Sequence, residues 1–203
     1  MTAPARHLIK RITESDTSDL TITGAYIELT LEKLLINHSV IEKYTSAAAP
    51  RHFTLARFLY RNLWEHRISI FANATDGKLI DSESMQHCCA DVNARLMIDS
   101  YTVSEDEHDQ RYFEVPPSEI EGRAKARGWT WFPSLPPVTW PARILLRFSI
   151  HDPGEVGGWV RDTETFEFVF SPTIFGRLND AAGRLTLLDP RSLEDASTND
   201  QTK

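Results

Sequence analysis

Cysteine is almost missing from this chain: 203 residues hold two, Cys88 and Cys89, and they are neighbours. One vicinal pair cannot staple distant segments, so a disulfide framework is excluded and a reducing compartment is expected, cytoplasmic or otherwise intracellular, a virion included. Positive charge is not in excess either. With 22 Lys and Arg against 29 Asp and Glu the formal charge is −7, which argues against a generic nucleic-acid binder, because such proteins gain affinity mainly by neutralising phosphates. Long apolar runs are lacking: no stretch approaches the roughly 18 residues of a membrane-spanning helix. Met1 to Ser18 is broken up by Arg6, Lys10, Arg11, Glu14 and Asp16, unlike a secretory leader. Without an entry signal, the sequon matches at Asn37-His38-Ser39 and Asn73-Ala74-Thr75 read as chance. The nine glycines are scattered, so no phosphate-cradling loop is built and no cofactor is expected.

What the chain does have is ordinary globular material, 41% hydrophobic and 25% charged, enough for one core. The expected organisation is a flexible tail over residues 1–18, a single domain over 19–190 and a second tail over 191–203, whose Ser, Asp, Asn and Thr cannot bury enough surface to offset ordering entropy. Strand-like alternation begins at Leu20 and Ile22 and changes parity at Gly24-Ala25. Residues 25–44 fit strand or helix, since Ile27, Leu31, Leu34 and Leu35 also fall at helical spacing. Leu55, Phe58, Leu59 and Leu63 recur at helical intervals among good helix formers, which predicts an amphipathic helix over Phe53 to His66.

Asp76-Gly77 predicts a tight turn joining Arg67 to Asn73 with Lys78 to Asp81 as a hairpin. A second hairpin is expected over Val92 to Val115 and a third over Arg143 to Phe170, where Ile144, Leu146, Phe148 and Ile150 alternate with polar residues, as do Phe166, Phe168 and Phe170. Ser118 and Glu121 form a capping box that predicts a short helix stopped by Gly128. Ser171-Pro172 predicts another, stopped by Gly183. Hairpins with helices inserted between them indicate an α+β fold, a mostly antiparallel sheet with two to four helices packed on it.

The search for chemistry finds little. His87-Cys88-Cys89 has zinc-binding atoms at the wrong spacing, because adjacent side chains diverge; a Cys pair behaving as small hydrophobes is the plainer reading, and no metal is expected. Cys88 or Cys89 as a nucleophile would need a lowered pKa that no local motif supplies. His151-Asp152 ends the strongest strand, yet His-Asp-Pro-Gly is a common way to leave a strand. No catalytic residue is assigned.

Two segments look like surfaces for partners. Arg51, Arg57, Arg61 and Arg67 concentrate positive charge on the expected helix, suited to an acidic protein, phospholipid or nucleic acid. Trp129, Trp131, Phe132, Pro133, Pro136 and Trp140 form an aromatic-proline segment with PxxP spacing, whose residue types dominate interface hot spots. The plainer readings are a solvated helix back and a loop pinned by its own tryptophans. The chain is therefore expected to be a non-enzymatic assembly, structural or adaptor protein that self-associates or docks a protein partner. Its layout of tails, basic helix and aromatic loop parallels a viral or phage matrix-like component, although no Pro-Pro-x-Tyr segment is present. The alternatives are a small hydrolase or ligand-binding domain with a cleft near His151 and Asp152, and a binder of nucleic acid or anionic membrane through residues 51–67.

Overall fold

The computed structural model describes residues 6–13, 20–42, 51–71, 77–89, 101–103, 119–137, 139–151, 160–176 and 186–187. In chain order they form β1 (Arg6–Ile12), β2 (Thr21–Thr23), β3 (Ile27–Glu42), β4 (Arg51–Asn62), β5 (Ile68–Phe71), β6 (Gly77–Asp81), β7 (Gln86–Cys88), β8 (Tyr101–Val103), β9 (Glu119–Ile120), β10 (Lys125–Pro133), β11 (Pro141–His151), β12 (Val160–Phe170), the single short helix α1 (Pro172–Gly176) and β13 (Thr186–Leu187). The expected α+β fold with two to four packed helices is thus corrected to a nearly all-strand architecture. Several expectations lie wholly or partly outside the described residues: most of the tail over 1–18, residues 43–44, the turn residue Asp76 with residues 72–73, most of the Val92 to Val115 hairpin, Ser118, Gly183 and the tail over 191–203.

Seven strands build sheet A, in the order β1-β12-β11-β5-β9, with β6 also on β11 and β7 on β6. The pairing of β1 with β12 is parallel and the rest are antiparallel, so sheet A is mixed. Strand β1 occupies part of the segment expected as an N-terminal tail. The expected hairpin of β11 with β12 is present, with Ile144 opposite Phe168 and Leu146 opposite Phe166. The expected Asp76-Gly77 hairpin is not. Ser69 to Phe71 pairs with residues 149–151 of β11, and Gly77 to Asp81 pairs with residues 141–146. Strands β5 and β6 therefore run the same way, one after the other, along one edge of β11.

Sheet B has the order β10-β4-β3, and the far side of β3 carries β2, β13 and β8 end to end. Strand β4 replaces the expected amphipathic helix. It looks helical in sequence because apolar residues stand on both faces, Ala56, Phe58 and Tyr60 on the buried one and Leu55 with the half-buried Phe53 and Leu59 on the other, so apolar positions lose their period of two. Strand β3 settles residues 27–42 as strand, with register shifts between Leu31 and Lys33 and between Leu35 and His38. The capping-box helix before Gly128 is replaced by β9, a turn and β10.

The two sheets face each other across one core. Phe58 and Tyr60 of β4 meet Phe168 of β12 and Phe148 of β11, with ring centroids 5.6 and 5.9 Å apart. Edge and tilted aromatic contacts of this kind add to the burial term. Burial pushes the Tyr60 phenol well above its ordinary pKa, against a hydrogen bond with Thr130. The chain crosses between sheets twice at one corner, over residues 63–67 and 121–124. Asn62 holds that corner: its side-chain amide donates to the carbonyls of His66 (2.8 Å), Ile120 (3.1 Å) and Glu121 (3.1 Å), and its Oδ1 accepts from the Trp64 amide (2.8 Å).

A second tie joins the sheets. Glu164 of β12 is fully buried, and the loop after β2 folds over it, the Ala25 amide donating to Oε1 at 2.5 Å and the Tyr26 and Ile27 amides adding to the cradle. Burial raises the Glu164 pKa and outweighs these amides, and the neighbouring Asp162 charge pushes the same way. A carboxyl that binds its proton more tightly when folded contributes stability in acid and loses it as pH rises from its unfolded value of 4.5 through the raised one. Glu164→Gln is therefore expected to abolish a decline in urea midpoint between the ordinary carboxylate range and neutrality. Parallel pH profiles for the two proteins would count against this account.

Candidate functional site

The basic residues expected on a helix lie on or beside β4, and Arg57, Arg61 and Arg67 are neutralised there. Arg57 Nε sits 3.1 Å from Glu32, which also takes Arg127 Nε at 2.9 Å; Arg61 sits 3.4 Å from Glu28; and Arg67 sits 3.2 Å from Glu119. Arg57 also stacks over the Trp129 ring, 5.5 Å from its centroid. Arg57 and Arg61 still share a face, because a separation of four keeps strand parity, but at about 3.3 Å per residue they stand roughly 13 Å apart and not one helical turn. The side chain of Arg51 lies outside the described residues. Among the described residues there is no basic helix, so the parallel with a matrix-like virion component loses the support of that element.

The aromatic-proline segment is divided. Trp129 and Trp131 are 5% and 3% exposed on β10, Phe132 is in the core, and Trp140 packs against the core at its margin. Strand β10 is an edge strand of sheet B and ends at Pro133, where a missing N–H is harmless. Pro133 and Pro136 are exposed, but Leu135 between them is buried and fixed: its N–H donates to Asn37 Oδ1 at 2.7 Å and its carbonyl accepts from Asn37 Nδ2 at 3.0 Å. The second irregularity in β3 makes this possible, since Asn37 takes a φ of 49° there, a conformation Asn tolerates better than most residues. Asn37, the first sequon residue, thus has its amide engaged with Leu135.

The chemistry around the cysteines resolves into a hairpin latch. Asp81 ends β6, and its Oδ1 accepts from the amides of Glu83 (3.0 Å) and Met85 (2.9 Å) while Oδ2 lies 2.9 Å from His87 Nε2. Burial raises the Asp81 pKa, but the hydrogen bonds from His87, Met85 and Glu83 outweigh it and hold the carboxyl below its ordinary range. His87 serves Asp81. Cys88 is exposed on the opposite face of β7, and Cys89 packs against the core over Gly77. Among the described residues no group of three His, Cys, Asp or Glu side chains is placed to hold a metal. His151 ends β11, beside a register shift, and neither its side chain nor Asp152 is described.

The surface that composition did not reveal is the outer face of sheet A. Alternation along β11 buries Ile144, Leu146, Phe148 and Ile150 and turns Arg143 and Arg147 outward; β6 adds Lys78 and β1 adds Arg11. Among the described residues of β1, β12, β11 and β6 on this face, the single acid is Glu167. It is 1% exposed, gripped at Oε1 by Arg143 Nε and Nη2, with His7 Nε2 lying 2.7 Å from Oε2. An acidic protein therefore carries one basic sheet face. The signal was present in the sequence as outward-facing arginines on the third hairpin, but only the parallel docking of β1 adds His7 and Arg11 beside them.

Among the described residues no helix is long and apolar enough to cross a membrane. No family model and no curated protein matches the sequence. A crystal structure of a putative lipoprotein from Bacillus subtilis is similar at 10% identity and a TM-score of 0.39, over 74% of this chain. The chain spans 38% of that structure's length, and a likeness this distant carries no argument about fold or function.

Proposed function

We propose that the chain is a non-enzymatic binding protein, an adaptor or assembly component that docks a protein partner on the outer face of sheet A. The observation that carries this reading is the charge segregation: Arg11, Lys78, Arg143 and Arg147 surround one neutralised carboxylate on a chain of net charge −7. Such a face favours an acidic surface and accelerates encounter with it. A protein partner fits better than a polyphosphate, since Glu167 sits in the middle of the face and Ile9, a large apolar residue, stands exposed on the same side.

The test compares poly-L-glutamate, duplex DNA and phosphatidylserine vesicles as probes for the protein in one buffer. Binding to polyglutamate that weakens with salt and falls roughly tenfold in Arg11→Glu plus Arg147→Glu is expected, two reversed charges each contributing a few-fold. Preferential binding to DNA or vesicles, lost in the same double variant, would reassign the face to an anionic polymer or membrane.

A further inference from the structure

We infer that β1 is a docking strand that takes an extended acidic segment of a partner protein as an added strand of sheet A, with the order acid-acid-apolar-apolar-acid-acid. This rests on the proposed protein-binding function and names its partner chemistry. Strand β1 ends the sheet: among the described residues its seven-residue ladder is bonded to β12 on one side, which leaves alternate amides and carbonyls of the other edge directed away from the sheet. Edge strands of this kind accept a peptide through main-chain hydrogen bonds, with side-chain pairs setting the choice.

Those side chains read Arg6, His7, Leu8, Ile9, Lys10, Arg11. Alternation sends His7, Ile9 and Arg11 to the outer face and Arg6, Leu8 and Lys10 to the inner one. On each face two basic residues bracket one apolar residue. A strand laid alongside meets that sequence of demands twice, offset by one residue, and the complement is two acids, two apolar residues and two acids. The pattern is symmetric, so it is the same for parallel and antiparallel addition. Asp162 and Glu167 already approach Arg6 and His7, Glu167 is shared with Arg143, and Arg11 stands exposed on the outer face. Ile9 is 56% exposed, one of two large apolar side chains so exposed among the described residues. The charges that repel a second copy of β1, as edge lysines and arginines do in general, are the ones that select an acidic strand.

The closing experiment uses the whole chain with two peptides of equal composition, acetyl-Thr-Glu-Glu-Val-Ile-Glu-Glu-Thr-amide and its permutation acetyl-Thr-Val-Glu-Glu-Glu-Glu-Ile-Thr-amide. Binding is read by fluorescence anisotropy and located by amide hydrogen exchange. The ordered peptide should bind roughly tenfold more tightly than the permuted one, since in the same register order alone adds about two charge pairs, at Arg6 and Arg11, and two apolar pairs, at Leu8 and Ile9. It should slow exchange across residues 6–12, and Ile9→Lys should erase the preference with the melting temperature unchanged. Equal binding of both peptides, with loss in Arg147→Glu but no protection in β1, overturns the strand addition and leaves the basic-face reading standing. Binding of neither peptide nor polyglutamate overturns both. Concentration-dependent dimerisation that Ile9→Lys abolishes would assign the edge to a second copy instead.

Discussion

Gly122→Ala is expected to lower the unfolding free energy by roughly 3 kcal/mol, at the top of the range for overpacking, because the new methyl meets main chain and not a side chain that can swing away. A Cβ on Gly122 would stand 1.9 Å from the Glu65 carbonyl oxygen and 2.5 Å from its carbon. These atoms belong to the two crossings between the sheets, which touch here and are held by Asn62 from β4. Asn62→Ala attacks the same corner from the other side. It strips a partner from the carbonyls of His66, Ile120 and Glu121 and from the Trp64 amide, and should cost about 3 kcal/mol, several buried hydrogen bonds at roughly 1 kcal/mol each. The double variant should lose less than the sum, since one crossing cannot be released twice. Gly77→Ala is the internal control: its Cβ would meet the Cys89 sulfur at 2.9 Å, a side chain able to move, so about 1 kcal/mol is expected. Urea unfolding of the four proteins decides. A Gly122→Ala protein as stable as its parent would mean the corner is not packed as described.

The parts of this fold that could be read from sequence are those with one buried face. Ile144 to Ile150 and Phe166 to Phe170 alternate cleanly because their other face meets solvent or shields Glu167, and the alternation alone predicts that hairpin. The parts misread are those where a second influence disturbs the period. In β3 the inward residues are Ile27, Leu29, Leu31, Leu34 and Ile36; the register shift after Leu31 stretches one interval from two to three, and a bulged strand then imitates a helix. In β10 Trp129, Thr130, Trp131 and Phe132 are buried in succession and show no alternation, and in β4 the apolar Phe53, Leu55 and Leu59 on the outer face blur an inner face of Ala56, Phe58 and Tyr60. Asp76-Gly77 misled differently: β5 and β6 each find a partner in β11, a long-range pairing that local turn propensity cannot anticipate.

The site was less legible than the fold, for a related reason. The concentration of arginine at residues 51–67 is real, but Glu28, Glu32 and Glu119 reach it only through pairings between strands distant in sequence. The basic face that does exist is assembled from residues 7–11, 78 and 143–147. No window of sequence contains it, and β1 taken alone resembles a tail, because a seven-residue strand with four basic residues has low hydrophobicity.

Asp81→Ala should destabilise the protein by about 3 kcal/mol at neutral pH, since hydrogen bonds to a buried carboxylate are worth more than neutral ones and three donors converge on this one. The loop they organise contains Ser84 at a φ of 68°, and the backbone adds two bonds of its own, Asp81 N–H to the Met85 carbonyl and Ser84 N–H to the Asp81 carbonyl. The deficit should depend on pH with a definite sign. Because the folded pKa of Asp81 is held below its ordinary 3.8, the carboxylate's contribution is complete above the unfolded value and is lost as pH falls through the folded one. The gap between parent and Asp81→Ala should therefore be wide at pH 7 and narrow below the ordinary carboxylate range, opposite in direction to the Glu164 effect and in a lower window. Asp81→Asn keeps the shape and an acceptor for Glu83 and Met85, so it should lose less and show no titration. His87→Ala provides the cross-check, because removing one donor should move the parent's acid transition to higher pH without abolishing it. If the deficit of Asp81→Ala stays constant down to the most acidic pH at which both proteins fold, Asp81 is not held ionised by these donors, and the hairpin is stabilised by β6 and β7 pairing alone.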